Sequence, residues 1–287
     1  MKRSQLIIII VSIISVALVT GTVILISPSL TEPAPVESTA AAGSEKFITL
    51  PIDRDTTAPA TEETDAPDVS FETDAPDTEP SDSDAPVMDE ELRALLSYQG
   101  ITEDDLSAED ITQIITVTSS FNQAQIRFFE ISGNRWTEDE ALSCSGHVGE
   151  QGVTGEMSEY VSATPAGFFP VLDAFYIHSA PETGLETFQI TEDTYWVDDP
   201  DSKYYNQRVE GTDDKDWSSA EHMIDYAAYN YGFVIGYNTA CVSPLGSAIF
   251  FHIGSAPTAG CVSTSEDMVL SYLQKLSANS HPYILIN

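Results

Sequence analysis

Residues 250–263 read Phe-Phe-His-Ile-Gly-Ser-Ala-Pro-Thr-Ala-Gly-Cys-Val-Ser and set one histidine, His252, nine residues before one cysteine, Cys261. Only the thiolate of a cysteine attacks carbon, and a free thiol ionises near pH ~8.5, so a nucleophilic cysteine needs a base beside it. Phe251, His252 and Ile253 read as the end of a strand. Gly254 and Pro257 break that strand and turn the chain back. A loop of this length can return Cys261 to the His252 imidazole. Gly260, directly before the thiol, lets another group approach the backbone closely. Ser255, Thr258 and Ser263 are small polar residues able to orient a substrate. A lone His–Cys pair is more often structural than catalytic, since cysteine is also a small buried hydrophobe.

The same segment resembles the active-site signature of the L,D-transpeptidase (YkuD-like) catalytic domain of bacterial cell-wall enzymes. That family carries an upstream histidine, a variable loop, then Ser/Thr-His-Gly-Cys. His252, Thr258, Gly260 and Cys261 take those places, with Cys261 as nucleophile. Thr164-Pro165-Ala166-Gly167-Phe168 resembles the family's Thr-Pro-x-Gly-x-Phe stretch. Residues 196–200, followed by Lys203-Tyr204-Tyr205-Asn206, resemble a segment of Firmicute-type members, which makes Tyr205 and Asn206 substrate-binding candidates. Ala259 stands where the family has a second histidine and Ser263 where many members have arginine. The His-to-Cys loop matches a subgroup with the shorter Pro-Thr-Ala-Gly-Cys form.

The resemblance, which runs from about residue 111 to the C-terminus, implies a cysteine-dependent acyltransferase without a cofactor. Its substrates would be peptidoglycan stem peptides, and its product a cell-wall cross-link made through a thioester on Cys261. Backbone N–H groups around Gly260 and Cys261 would hold the oxyanion. An L,D-carboxypeptidase using the same site, or a non-catalytic wall-binding module, are the alternatives.

Lys2 and Arg3 precede an uncharged apolar run, residues 6–26. At 1.5 Å per residue it spans about 30 Å, the thickness of a bilayer's hydrocarbon core. A cleavable signal has a shorter apolar region, so an uncleaved anchor with a cytoplasmic tip is expected. Residues 1–30 are then tip and anchor, and the remainder lies on the cell-wall side. Residues 31–87 are rich in Pro, Ala, Thr and acidic side chains, and repeat Thr-Asp-Ala-Pro-Asp at 64–68 and 73–77. Too few apolar groups are present to offset the entropy of ordering the backbone, so this reads as a disordered acidic linker. A formal charge of −35 excludes nucleic acid as a partner, because the phosphates would be repelled.

Residues 88–110 read as a short helical lead-in, with Leu92, Leu95 and Leu96 on one face. Residues 111–287 form the catalytic domain. Within it, 111–117, 122–130, 168–176, 188–190, 195–197, 231–237, 248–253 and 283–286 read as strands, and 265–276 as an amphipathic helix capped by Thr264 and Asp267. Many short strands and few helices predict a mainly β, sandwich-like domain. Cys144, Cys241 and Cys261 are too few for a disulfide framework, and Cys144 and Cys241 are expected as buried free thiols. His147, His178, His222 and His281 lack metal-ligand spacing, so no metal is expected. Asp198-Asp199 reads as a solvated turn before Pro200.

Overall fold

The computed structural model describes residues 86–287, which belong to one compact unit. The expected anchor and linker lie outside the described residues, apart from the linker's last two positions. Among the described residues no helix is long and apolar enough to cross a membrane.

Two helices open the described chain. In α1 (Glu90–Tyr98), Asp89 caps the N-terminus by accepting from the Glu91 and Leu92 amides. In α2 (Glu103–Ala108), Thr102 and Asp105 form a reciprocal capping box. The strands then follow as β1 (Gln113–Ser120), β2 (Gln123–Ser132), β3 (Arg135–Glu138), β4 (Cys144–His147), β5 (Val153–Thr154), β6 (Thr164–Pro165) and β7 (Gly167–Tyr176). After them come β8 (Thr187–Gln189), β9 (Thr194–Val197), β10 (Arg208–Glu210), β11 (Ala220–His222), β12 (Tyr231–Ile235), β13 (Phe250–Ile253) and β14 (Val262–Thr264). Helix α3 (Glu266–Lys275) and β15 (Tyr283–Ile286) close the chain.

The domain is mainly β, as expected, but its strands do not split into the two sheets of a sandwich. The order β1-β15-β7-β12-β13-β14-β4-β2 returns to β1, because β1 pairs along its whole length with β2. Eight strands therefore form a closed, barrel-like ring, with β3 and β8 added at its margins. Closure removes the unpaired edges that an open sheet must protect. A separate three-stranded sheet, β10-β9-β11, lies off the ring.

Period-two alternation sorts the side chains of the ring into different packed clusters. Ile115, Val117, Ile126, Phe128, Phe233, Phe251 and Val262 pack with Val269, Tyr272 and Leu273 of α3. Ile114, Phe129, Trp136 and Leu285 face the other way, onto Leu92 and Leu96 of α1 and Leu106 of α2. Phe250 and Cys261, the neighbours of Phe251 and Val262, join a third cluster with Phe175, Val234, Tyr229 and Met223, against which Trp196 of the small sheet packs.

Helix α2 is a second helix within the lead-in, where the sequence reading gave apolar spacing only around Leu92, Leu95 and Leu96. Six residues carry no full apolar period, and only the Thr102–Asp105 box marks the start. Helix α3 begins one residue later than its expected cap: Ser265 accepts from the Met268 amide, while the Thr264 hydroxyl donates to Ser145 O at the end of β14. Residues 88–110 are also more than a lead-in, since Met88, Leu92, Leu96 and Leu106 are buried against the ring.

A fragment starting at Pro86 should therefore unfold cooperatively, whereas one starting at Ile111 exposes Ile114, Phe129, Trp136 and Leu285. Its urea midpoint should drop sharply, because losing a single buried Leu already costs about 2–5 kcal/mol. Equal midpoints for the two fragments would show that the helices are dispensable.

Candidate active site

Strands β13 and β14 run parallel, with Phe251 beside Val262, His252 beside Ser263 and Ile253 beside Thr264. One step back along this register, Cys261 stands beside Phe250. Since alternate residues share a face, His252 and Cys261 lie on the same face of adjacent strands, two positions out of step. Both line a cleft of about 520 Å³ with Ser255, Thr258, Gly260 and Ser263. A smaller cleft of about 210 Å³ beneath α2 contains neither cysteine nor histidine.

The thiol is 6% exposed. Its Sγ accepts from the Phe250 amide at 3.3 Å and donates to Ala248 O at 3.3 Å. Burial pushes its pKa well above that of a free thiol, and the negative charge of Glu221 adds to the effect, while the Phe250 amide opposes it. The group is thus a neutral thiol at physiological pH. His252 is buried too, and burial lowers its pKa, so the imidazole is also neutral. Its Nδ1–H donates to Ile253 O at 2.8 Å, because a carbonyl can only accept. This tautomer leaves the Nε2 lone pair free to take a proton. The T-shaped packing of the Tyr229 ring, 5.3 Å between centroids, sets the imidazole plane.

The loop between the strands is pinned by hydroxyls. Cys261 O accepts from Thr258 Oγ1 at 2.6 Å and from Thr164 Oγ1 at 3.2 Å. Thr164 Oγ1 also accepts the Gly149 amide at 2.8 Å. A Cβ on Gly149 would lie 2.5 Å from the Ala163 backbone, so this approach requires glycine. The Gly260 amide donates to Thr258 Oγ1 at 3.2 Å, which occupies one of the two expected oxyanion donors. Ser263 is buried, with its hydroxyl toward Ala256 O, and Ser255 is exposed at the rim.

Tyr205 and Asn206 are buried outside the residues lining the cleft. Asn206 Oδ1 accepts from the Trp196 indole N–H at 3.0 Å and from the Ala248 amide at 3.1 Å. Its Nδ2 donates to the carbonyls of Tyr237 and Asn238. Tyr205 donates to Glu159 at 2.5 Å and accepts from the Gly246 amide. Both residues brace the segment that carries Ala248, the partner of the thiol, rather than presenting polar groups to a ligand.

Three carboxylates line the cleft: Glu159 and Glu221, which the sequence reading missed, and Asp198, which it placed on a solvated turn. Asp198 buries its Oδ1 without a hydrogen-bond partner among the described residues. Asp199 is buried rather than solvated, accepting from the amide and hydroxyl of Ser218 and the amide of Asp201. Tyr229, also missed, donates to Glu221 at 2.5 Å. No local pattern joins these residues, since they come from separate segments. Among the described residues no group of three His, Cys, Asp or Glu side chains is placed to hold a metal. His178 is exposed and outside the cleft. All three cysteines are free, with Cys144 and Cys241 half-buried rather than fully buried as expected.

No family model matches this chain, and no curated protein matches it. Among solved structures it is loosely similar to the helical cell shape determining protein Pgp2 from Campylobacter jejuni, with 13% identity and a TM-score of 0.32. The match covers 61% of this chain and 47% of that one, so the chain spans about half the length of that structure. A likeness this loose carries no argument about chemistry.

If Asn206 is a brace, Asn206→Ala strands the Trp196 and Ala248 N–H groups. Each buried donor left unpaired costs about 1–3 kcal/mol, so the urea midpoint should fall clearly. An unchanged midpoint with a raised KM would return Asn206 to the substrate.

Proposed function

We propose that the chain is a cysteine acyltransferase that acts on peptide amides, and more specifically a peptidoglycan L,D-transpeptidase. The observation that carries this reading is the shared face of His252 and Cys261 on adjacent strands at the base of one cleft. The His252 Nε2 lone pair takes the thiol proton as the sulfur attacks the donor carbonyl. The carbonyl electrons move to oxygen and return as the C–N bond breaks, and the imidazolium passes its proton to the leaving amine. An acceptor amine then attacks the thioester, loses a proton and restores the thiol. Because both groups begin neutral, proton transfer accompanies attack and no ion pair is formed in advance. The matched segments at 164–168 and 258–261 support a stem peptide as donor. The apolar run at 6–26 and the acidic stretch after it favour a membrane-held enzyme working on the cell-wall side.

One observation favours a second reading. Cys261 is enclosed and held neutral, as an unreactive structural cysteine would be, and a wall-binding module would need no more than that. A carbapenem separates the two, since it acylates a competent nucleophile. The full-length protein should gain the drug's mass on the Cys261 peptide, and Cys261→Ala should lose both adduct and turnover on muropeptides while staying folded. An Ala variant with full turnover would sink the assignment.

His252→Ala should slow acylation by roughly 10²–10⁴-fold, the usual contribution of a positioned base. Its pH–rate profile should also lose the limb below neutrality, because the neutral imidazole is the working form and its pKa is lowered by burial. A variant with the parent's rate and profile would assign the base elsewhere.

A further inference from the structure

The reading of Cys261 as nucleophile leaves Glu221 unexplained. We propose that Glu221 is a positioning residue of the thiol site: it anchors the Tyr229 ring against His252, and its charge governs how readily Cys261 gives up its proton. This inference rests on the cysteine-enzyme reading above.

The connection is direct. Glu221 sits in the middle of β11, paired with Trp196 of β9, and lines the same cleft as Cys261 and His252. The Tyr229 hydroxyl donates to its Oε2 at 2.5 Å. The Tyr229 ring in turn packs edge-to-face on His252 and on Phe250, with centroids 5.3 and 5.4 Å apart. Phe250 supplies the amide that binds the Cys261 sulfur. One carboxyl thus fixes the aromatic wall shared by the base and the strand that holds the thiol.

The charge of Glu221 also acts on the Cys261 thiol, which it makes harder to ionise. The titratable groups facing it are Tyr229, Tyr226, Asp198, Glu159 and the Cys261 thiol. Its carboxyl is pushed up to about 7, chiefly by desolvation and with a contribution from the charges of Asp198 and Glu159, against the opposing Tyr229 hydrogen bond. Below that pH Glu221 is neutral and leaves the thiol to its burial alone. Above it, the carboxylate stands against formation of a second anion. As pH rises, Glu221 therefore loses its proton before the thiol does and postpones the thiolate.

The test is the pH dependence of Cys261 alkylation by iodoacetamide in the full-length protein, read on the Cys261 peptide by mass spectrometry so that Cys144 and Cys241 do not interfere. Glu221→Gln keeps an acceptor for Tyr229 but removes the charge. Its rate should match the parent below about pH 6 and exceed it up to about tenfold above pH 8, the factor that one pKa unit on the thiol supplies. Tyr229→Phe removes the hydrogen bond that lowers the Glu221 pKa, so the retarding step in the profile should move to higher pH. This second variant keeps the question open to measurement if the first fails to fold. Parallel or coincident profiles for parent and Glu221→Gln, or an unmoved step in Tyr229→Phe, would overturn the role of Glu221 and leave the nucleophile untouched. A parent protein that takes no label on Cys261 at any pH would overturn the nucleophile reading and this inference together.

Discussion

The parallel pairing of β13 and β14 is the constraint on which the site depends. Parallel neighbours usually need a crossover of a dozen or more residues, commonly a helix. Here residues 254–261 make the return, so the loop must run back the length of a strand with almost no slack. Hydroxyls hold it there: Thr258 and Thr164 converge on Cys261 O, and the Thr258 amide and carbonyl pair with Val148 O and the Glu150 amide. Glycine at 260 suits the same crowding, since a Cβ would meet Ile249 Cδ1 at 3.0 Å and Ala163 O at 3.2 Å. A register slip of one residue would turn Cys261 to the opposite face and place Val262 in the cleft.

The closed ring gives this short pairing a rigid frame. β13 is held on its other side by β12, and β14 by β4, so neither can shift without breaking a second ladder. Stacked Phe233 and Phe251 rings, 4.8 Å apart, and Tyr272 of α3 fill the side opposite the cleft. The cleft side carries the polar groups, and its cost is visible in the raised carboxyl of Glu159 and in an Asp198 oxygen without a hydrogen-bond partner among the described residues.

Much of this was legible in the sequence, where local pattern sufficed. The alternation around His252, the long strand at β7, the amphipathic period of α3 and the closing apolar run at β15 each announce their element. His252 and Cys261 could be singled out as a pair because nine residues and two turn-formers separate them, while the roles of base and nucleophile were implied by the resemblance at 258–261. What failed to show is what chain-distant segments decide. Closure of the ring comes from β1 meeting both β2 and β15, and no local period encodes such meetings. Glu221 and Tyr229 reach His252 only through folding. Tyr205 and Asn206 became substrate candidates through the resemblance at 203–206, which gives no sign of the partners, Glu159, Trp196 and Ala248, that folding brings to them.

The bond from the Cys261 thiol to Ala248 O has a bearing on durability as well as on attack. Peroxides react with thiolates far faster than with thiols, and the first product, a sulfenic acid, leads on to irreversible states. A sulfur that keeps its proton, shares it with a carbonyl and meets little solvent is slow to enter that sequence. The half-exposed Cys144 and Cys241 are easier for an oxidant to reach. The enclosure that makes Cys261 reluctant to ionise thus also preserves it, unspent, between encounters with whatever draws its proton away.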